Sequence, residues 1–116
     1  MAIDKSLLTG STTMLILKLL DDKDMYGYQM IEELAKKSDN TFALKAGTLY
    51  PLLHSLEEQG MVNSYDENAD SARVRKYYSI TKSGEGLLAD KKAEWNTYAS
   101  AVNQVLQGGA NFATVC

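Results

Sequence analysis

The chain has 116 residues, which is enough for one hydrophobic core and too short for two domains of ordinary size. Apolar residues make up 45% of it and proline occurs once, a composition typical of an ordered, helix-rich domain. The net charge of −3 excludes a surface that is basic throughout, so any contact with a polyanion has to use a restricted patch.

No stretch of the sequence has the pattern of a signal peptide or a membrane span. The apolar run from Met14 to Leu20 is interrupted by Lys18 and is far shorter than the ~20 residues needed to cross a bilayer. Cys116 is the only cysteine, which excludes an internal disulfide and indicates a reducing compartment. We therefore expect a cytoplasmic protein with no membrane partner.

Two helices are predicted in the first third of the chain. The first runs from Ser11 to Leu20, opens with capping residues and is apolar on most sides, which predicts burial in the core or against another subunit. After a polar turn, the second spans Tyr26 to Lys37, and Asp39-Asn40 marks its exit.

The third predicted helix has one apolar and one polar face. Leucines at positions 49, 52, 53 and 56 recur at helical spacing and predict the buried face. Pro51 is tolerated near a helix start, which places the N-cap at Gly47 or Thr48, and Gly60 ends the helix. The opposite face carries Thr48, Tyr50, His54 and Ser55.

A β-hairpin follows, with strands predicted at 61–65 and 74–81 around a polar loop at 66–72. Three cations lie within four positions: Arg73, Arg75 and Lys76. Because side chains alternate along a strand, Arg75 and Lys76 are expected to face the same surface only if the strand twists or bulges.

A long fourth helix is predicted from a cap at Thr81 or Ser83 to about Gln107, where Gly108-Gly109 stops it. At ~1.5 Å per residue it extends about 40 Å, longer than a domain of this size needs. One stripe of this helix repeats at the spacing of a heptad seam, which predicts a homodimer interface. Its members are Leu88, Lys91, Trp95, Tyr98, Val102 and Val105.

Together these elements predict a mainly α fold with a small β-hairpin: a winged helix-turn-helix plus a long C-terminal dimerisation helix. Residues 1–81 would form the winged helix-turn-helix, 82–107 the dimerisation helix and 108–116 a flexible tail. A helix with a polar face followed by a basic hairpin suits entry into a DNA groove. The predicted contacts to double-stranded DNA are Lys45, Thr48, Tyr50, His54, Ser55, Arg73, Arg75 and Lys76.

The same features have simpler interpretations. A polar helix face is often only solvated, and a basic hairpin can serve solubility and edge protection. A winged helix can also be a protein-interaction module without DNA-binding activity, because fold does not fix function. Since His54 is the sole histidine and Cys116 the sole cysteine, we predict no catalytic residue, no metal site, no cofactor and no enzymatic activity.

Five separated blocks carry a family resemblance. They are Leu15-Ile16-Leu17 with Leu19-Leu20, Tyr26-Gly27-Tyr28, Gly47-Thr48-Leu49-Tyr50-Pro51, Leu56-Glu57 with Gly60, and Arg73 to Thr81 with Gly84. In this order they resemble the PadR family of bacterial transcriptional regulators, specifically its shorter members with one C-terminal helix. The resemblance implies a homodimeric, ligand-responsive repressor that binds a pseudo-palindromic operator. Ala72 departs from the glycine usual before the first wing arginine, which implies a different wing tip.

The resemblance also implies a planar aromatic effector bound near the dimer interface. The candidate ligand-binding residues here are Met14, Leu15, Leu88, Trp95 and Tyr98. Trp95 and its symmetry mate would enclose a flat molecule. The alternative is that Trp95 only fills the interface, which the area it buries would justify.

Overall fold

The computed structural model describes residues 4–70 and 73–108, with the side chains of Lys5, residues 68–70 and Arg73 left out. Within these ranges four helices and three strands follow one another along the chain. They are α1 (Lys5–Asp22), β1 (Met25–Tyr26), α2 (Gly27–Lys37), α3 (Ala46–Glu58), β2 (Val62–Asp70), β3 (Arg73–Ile80) and α4 (Lys82–Leu106). The predicted mainly α fold with a small β-hairpin is confirmed.

Helix α1 begins earlier than the sequence pattern indicates. Asp4 is its N-cap, and the Asp4 carboxylate accepts a hydrogen bond from the Ser6 amide at 2.9 Å. The predicted start at Ser11 is wrong. Thr12 lies in the helix interior instead, where its hydroxyl donates to the Leu8 carbonyl at 2.7 Å and is thereby satisfied within the helix.

Helix α3 also begins earlier than predicted. Its N-cap is Lys45 rather than Gly47 or Thr48, so Pro51 lies inside the helix. Proline there removes the hydrogen bond to the Gly47 carbonyl, but Gly47 is exposed and water can satisfy that oxygen. The helix ends as predicted, since Gly60 adopts φ +78° and the Met61 amide donates to the Leu56 carbonyl at 2.8 Å.

The sheet contains one strand that the sequence analysis missed. Its strands lie antiparallel in the order β1-β3-β2, with Tyr26 opposite Tyr77 and Tyr65 opposite Tyr77 on the other side. The hairpin of β2 and β3, the wing, is longer than predicted, because β2 continues to Asp70. The departure at Ala72 falls outside the described residues.

The hydrophobic core lies between α1, α2, α3 and the base of the sheet. Its fully buried side chains are Ile16, Leu17, Leu20, Met25, Met30, Leu49, Leu53 and Val62. Thr81 caps α4 as predicted: its hydroxyl accepts from the Gly84 amide at 3.0 Å and donates to the Gly60 carbonyl at 2.7 Å. This bond joins the end of α3 to the start of α4.

The far end of α4 has no packing partner among the described residues of this chain. Every residue from 100 to 108 is exposed, whereas Leu88 is buried in the core. Lys91 is half-buried, so the exposed part of the predicted seam starts at Trp95. Gly109 and the rest of the predicted tail lie outside the described residues. No helix within the described ranges is long and apolar enough to span a membrane.

Candidate nucleic-acid interface

Helix α3 presents the face that its sequence spacing predicts. Leu49, Leu53 and Leu56 are buried. Thr48, Tyr50 and His54 are exposed on the other side, Ser55 is half-buried, and Lys45 is exposed at the N-terminus of the helix. No side chain caps this N-terminus, so its first amide groups and the lysine together favour an anion.

A cleft of about 730 Å³ separates the exposed face of α3 from the wing. We call it the wing cleft. It is lined by Tyr26, Gly27, Tyr28, Glu32, Tyr50, His54, Val74, Arg75, Lys76 and Tyr78. The fold thus brings four of the predicted DNA contacts, Tyr50, His54, Arg75 and Lys76, to the walls of one groove. Lys45, Thr48 and Ser55 lie on the same helix outside it.

Arg75 and Lys76 both line this cleft although they are successive residues of β3. Strand β1 pairs only with Tyr77 and Tyr78 of β3, so the edge of β3 that faces β1 has no strand partner from Arg73 to Lys76 among the described residues. The Arg75 guanidinium crosses this edge and lies 4.5 Å from the centroid of the Tyr26 ring. The Lys76 ammonium lies 5.8 Å from the Tyr78 centroid. The Arg73 side chain falls outside the described residues.

Two tyrosines of the wing have perturbed acidity. A hydrogen bond from the Tyr65 hydroxyl to the Asp24 carboxylate, 2.7 Å long, raises the pKa of Tyr65 to about 12. Burial raises the pKa of Tyr78, which is 3% exposed at the base of the cleft. Both shifts favour the neutral hydroxyl.

Sequence reasoning did not assign Tyr26 or Tyr28 to this site. Tyr28 is 62% exposed on the first turn of α2, and Tyr26 contacts Arg75. The available signal in the sequence was their position on both sides of Gly27. In the structure, a Cβ atom added at position 27 would overlap the Tyr50 ring. That overlap shows how closely α2 and α3 approach beside the cleft.

The predicted ligand-binding residues lie on the other side of the molecule, between α1 and α4. Two clefts of about 290 and 260 Å³ meet at Trp95 and Met14. Tyr98 lines the first, while Leu15 and Leu88 line the second. The Trp95 and Tyr98 rings are 6.2 Å apart. The fold thus gathers the other four predicted residues around Trp95.

Within residues 4–70 and 73–108, no three side chains of the His, Cys, Asp and Glu types lie close enough together to hold a metal ion. His54 stands alone on the exposed face of α3, and Cys116 falls outside the described residues.

Helices α2 and α3 form a helix-turn-helix, and the three-stranded sheet beside them carries the wing of β2 and β3; together they define the winged helix-turn-helix class of DNA-binding folds. The model of the PadR-like family of transcriptional regulators matches residues 16–90. The chain belongs to this family, whose members are transcriptional regulators and not enzymes. It is therefore a DNA-binding transcriptional regulator.

Solved structures and a curated relative agree with this assignment. A transcriptional regulator from Clostridium thermocellum superposes with a TM-score of 0.80 at 30% identity, covering 86% of this chain and 97% of that one. A PadR family regulator from Eggerthella lenta gives a TM-score of 0.79 at 33% identity, covering 91% and 88%. A transcriptional regulator of Mycobacterium tuberculosis is 31% identical over 71 residues, which is 61% of this chain and 63% of that protein.

Proposed function

We propose that the protein is a cytoplasmic repressor that binds a pseudo-palindromic operator as a homodimer. Helix α3 enters the major groove through Thr48, Tyr50, His54 and Ser55, and Lys45 binds a phosphate at its N-terminus. The wing contacts the neighbouring backbone through Arg75 and Lys76, with Arg73 further along. The observation that carries this proposal is the wing cleft, where a recognition helix and two cations face each other across a groove.

The proposed dimer rests on the exposed part of α4. Trp95, Tyr98 and Val105 are 47%, 60% and 79% exposed in a single chain. Val102 lies on the same stripe, and Lys91 completes it at the end nearer the core. Apolar side chains in one row of this length are typical of a helix–helix seam. A two-fold dimer built on it would present two α3 helices to half-sites about one turn (~34 Å) apart.

The proposed effector is a planar aromatic compound that binds beside Trp95. Met14, Leu15 and Tyr98 line the two clefts on either side of this ring, and such apolar walls favour a flat aromatic ligand. Occupying them would change how α4 packs on α1 and so the angle between the DNA-binding heads of the dimer. Because Trp95 is the only tryptophan, quenching of its fluorescence reports binding directly. No quenching across a broad panel of flat aromatic compounds would contradict this part of the proposal.

Selection of bound sequences from random DNA tests the function as a whole. We expect enrichment of a symmetric site. Enrichment of no sequence, with no affinity for duplex DNA, would instead favour the winged-helix protein-interaction module.

The wing is tested by replacing Arg75 and Lys76 together with alanine. Removing two phosphate contacts is expected to weaken DNA binding by about tenfold or more and to reduce its dependence on salt. The matched control replaces the exposed lysines Lys36 and Lys92, which carry the same total charge outside the cleft. Equal losses for the two variants would show that net charge, and not the cleft, governs binding.

A further inference from the structure

Arg75 contacts an aromatic ring on a neighbouring strand, that of Tyr26 on β1. Lys76, the other described cation of the wing cleft, contacts Tyr78 on its own strand. The Arg75 guanidinium carbon lies 4.5 Å from the centroid of this ring, within the range of a cation–π contact. Arg75 is on the same face of β3 as Tyr77, which is the register partner of Tyr26. The arginine side chain therefore crosses the sheet diagonally to reach β1.

Tyr26 is itself held in place by a row of rings across the sheet. Its ring meets Tyr77 edge-on at 5.5 Å, and Tyr77 stacks on Tyr65 at 5.8 Å with 16° between their planes. The Tyr65 hydroxyl donates to Asp24 at 2.7 Å, just before β1. The row thus spans all three strands and is tied at its far end to the turn that precedes β1. A ring held in this row offers a rigid platform to the arginine.

A carboxylate competes for the same arginine and does not hold it. Glu67 is the register partner of Arg75 across β2 and β3. Among the described side chains, ion pairs within 4.0 Å join Lys18 and Lys37 to Asp22, and Lys91 to Glu94, but none involves Arg75. The guanidinium carbon lies over the Tyr26 ring, and this contact, unlike an ion pair with a carboxylate, does not need the guanidinium N–H groups as hydrogen-bond donors, which leaves them for phosphate oxygens.

We propose that Tyr26 is a positioning residue for DNA binding, which holds the Arg75 guanidinium at the wall of the wing cleft to meet a phosphate of the DNA backbone. This inference rests on the proposed function. An arginine that is already ordered loses less side-chain entropy when it binds, so its phosphate contact is stronger than that of a free arginine. Tyr26 itself contacts no phosphate in this arrangement.

Binding of mixed-sequence duplex DNA at low salt tests this role, because phosphate contacts dominate such binding. Arg75→Ala is expected to weaken affinity about tenfold. Tyr26→Leu, which keeps an apolar side chain but removes the ring, is expected to weaken it about two- to fivefold. Tyr26→Phe keeps the ring and should bind like the unmodified protein. In the Arg75→Ala background, Tyr26→Leu should cause no further loss.

Tyr28→Leu is the matched control, since Tyr28 lines the same cleft without a ring contact to Arg75. Any loss it causes should appear in full in the Arg75→Ala background. Tyr26→Leu would be shown to act independently of Arg75, and the inference overturned, if it weakened the Arg75→Ala protein as much as the unmodified one. Full affinity of Arg75→Ala alone would overturn the wing contact and the positioning role together. Thermal unfolding of each variant distinguishes a loss of binding from a loss of folding. If Tyr26→Leu is unstable, Tyr26→Phe still tests the role, because it keeps the ring and a loss of affinity in this variant would contradict the cation–π contact.

Discussion

At the scale of single residues, Gly27 and Tyr50 occupy adjoining space where α2 crosses α3. A Cβ atom at position 27 would lie 2.6 Å from Cζ and 2.8 Å from Cε1 of Tyr50. The Tyr50 ring has to move to accept it, and since Tyr50 is 41% exposed, it can do so without disturbing the core. The glycine therefore determines where Tyr50 points rather than how stable the fold is.

Gly27→Ala is accordingly expected to weaken DNA binding about five- to tenfold, the effect of losing one contact to a charged group. Its melting temperature should stay almost unchanged, because the higher helix propensity of alanine offsets the small cost of moving the exposed Tyr50 ring. Binding measurements and thermal unfolding of the same sample check both statements.

Gly84→Ala is expected to lower the stability of the fold, in contrast to Gly27→Ala. A Cβ atom there would overlap the main-chain carbonyl of Met61 and would lie 2.7 Å from Cγ1 of Ile80. Main chain cannot rotate away, so the free energy of unfolding should fall by about 1–3 kcal/mol. Unchanged DNA affinity in Gly27→Ala would mean that Tyr50 makes no important contact with DNA.

Tyr65 offers a test of the ring row by titration. Because its hydroxyl donates to the Asp24 carboxylate, its pKa is raised from 10.0 to about 12. The stabilisation from this bond is present below pH 10 and is lost as the pH rises through about 12. In Asp24→Ala, we expect the pKa of Tyr65 to return from about 12 towards its ordinary value of 10.0. Ultraviolet difference titration against Tyr65→Phe identifies the signal, and an unchanged titration curve would contradict the bond.

At the scale of elements, the wing places an acid opposite each described cation. Asp66 faces Lys76, and Glu67 faces Arg75 in the register of β2 and β3. None of these forms an ion pair among the described side chains. The acids of β2 therefore lower the positive potential of the wing without binding its cations, which limits attraction to DNA of any sequence.

Glu67→Gln should consequently tighten binding to mixed-sequence DNA, by about twofold at low salt, and the gain should vanish at high salt because the charges are exposed. Asp90→Asn on α4 removes the same charge from an exposed position outside the cleft and should change little. Fluorescence anisotropy over a salt series distinguishes the two. A gain of equal size for Asp90→Asn would attribute the effect to net charge.

The elements also indicate which parts of the fold the sequence could predict. The buried leucines of α3 repeat over about two turns, so the orientation of this helix and the exposure of Tyr50 followed from spacing. Strand β1 has only two residues, too few to carry a period, and its pairing with β3 depends on tertiary packing. The contact between Tyr26 and Arg75 depends on β1. The sequence could therefore predict a basic wing near α3, but not that Tyr26 positions Arg75.

At the scale of the whole molecule, the chain is elongated, with principal extents of 62 × 32 × 21 Å. Helix α4 has 25 residues, but its last turns pack on no other element in the part of the chain that the structure describes. A free helix with an apolar stripe gains little stability in water, so its length makes physical sense if a second copy covers it. The heptad spacing predicted this stripe, while the burial of Leu88 shows where the core ends and the exposed seam begins.

Replacing Val102 and Val105 together with glutamate places two charges on this stripe and should convert a dimer into monomers, which sedimentation or light scattering would detect. Ser100→Glu with Gln104→Glu adds the same charge to the opposite side of the helix and should leave the dimer intact. Since linked heads bind a symmetric site with an avidity gain of about a hundredfold or more, the monomer should lose that factor on the selected operator. It should keep its affinity for a single half-site. Dimers that survive the valine substitutions, or that fall apart equally in the control, would place the interface elsewhere.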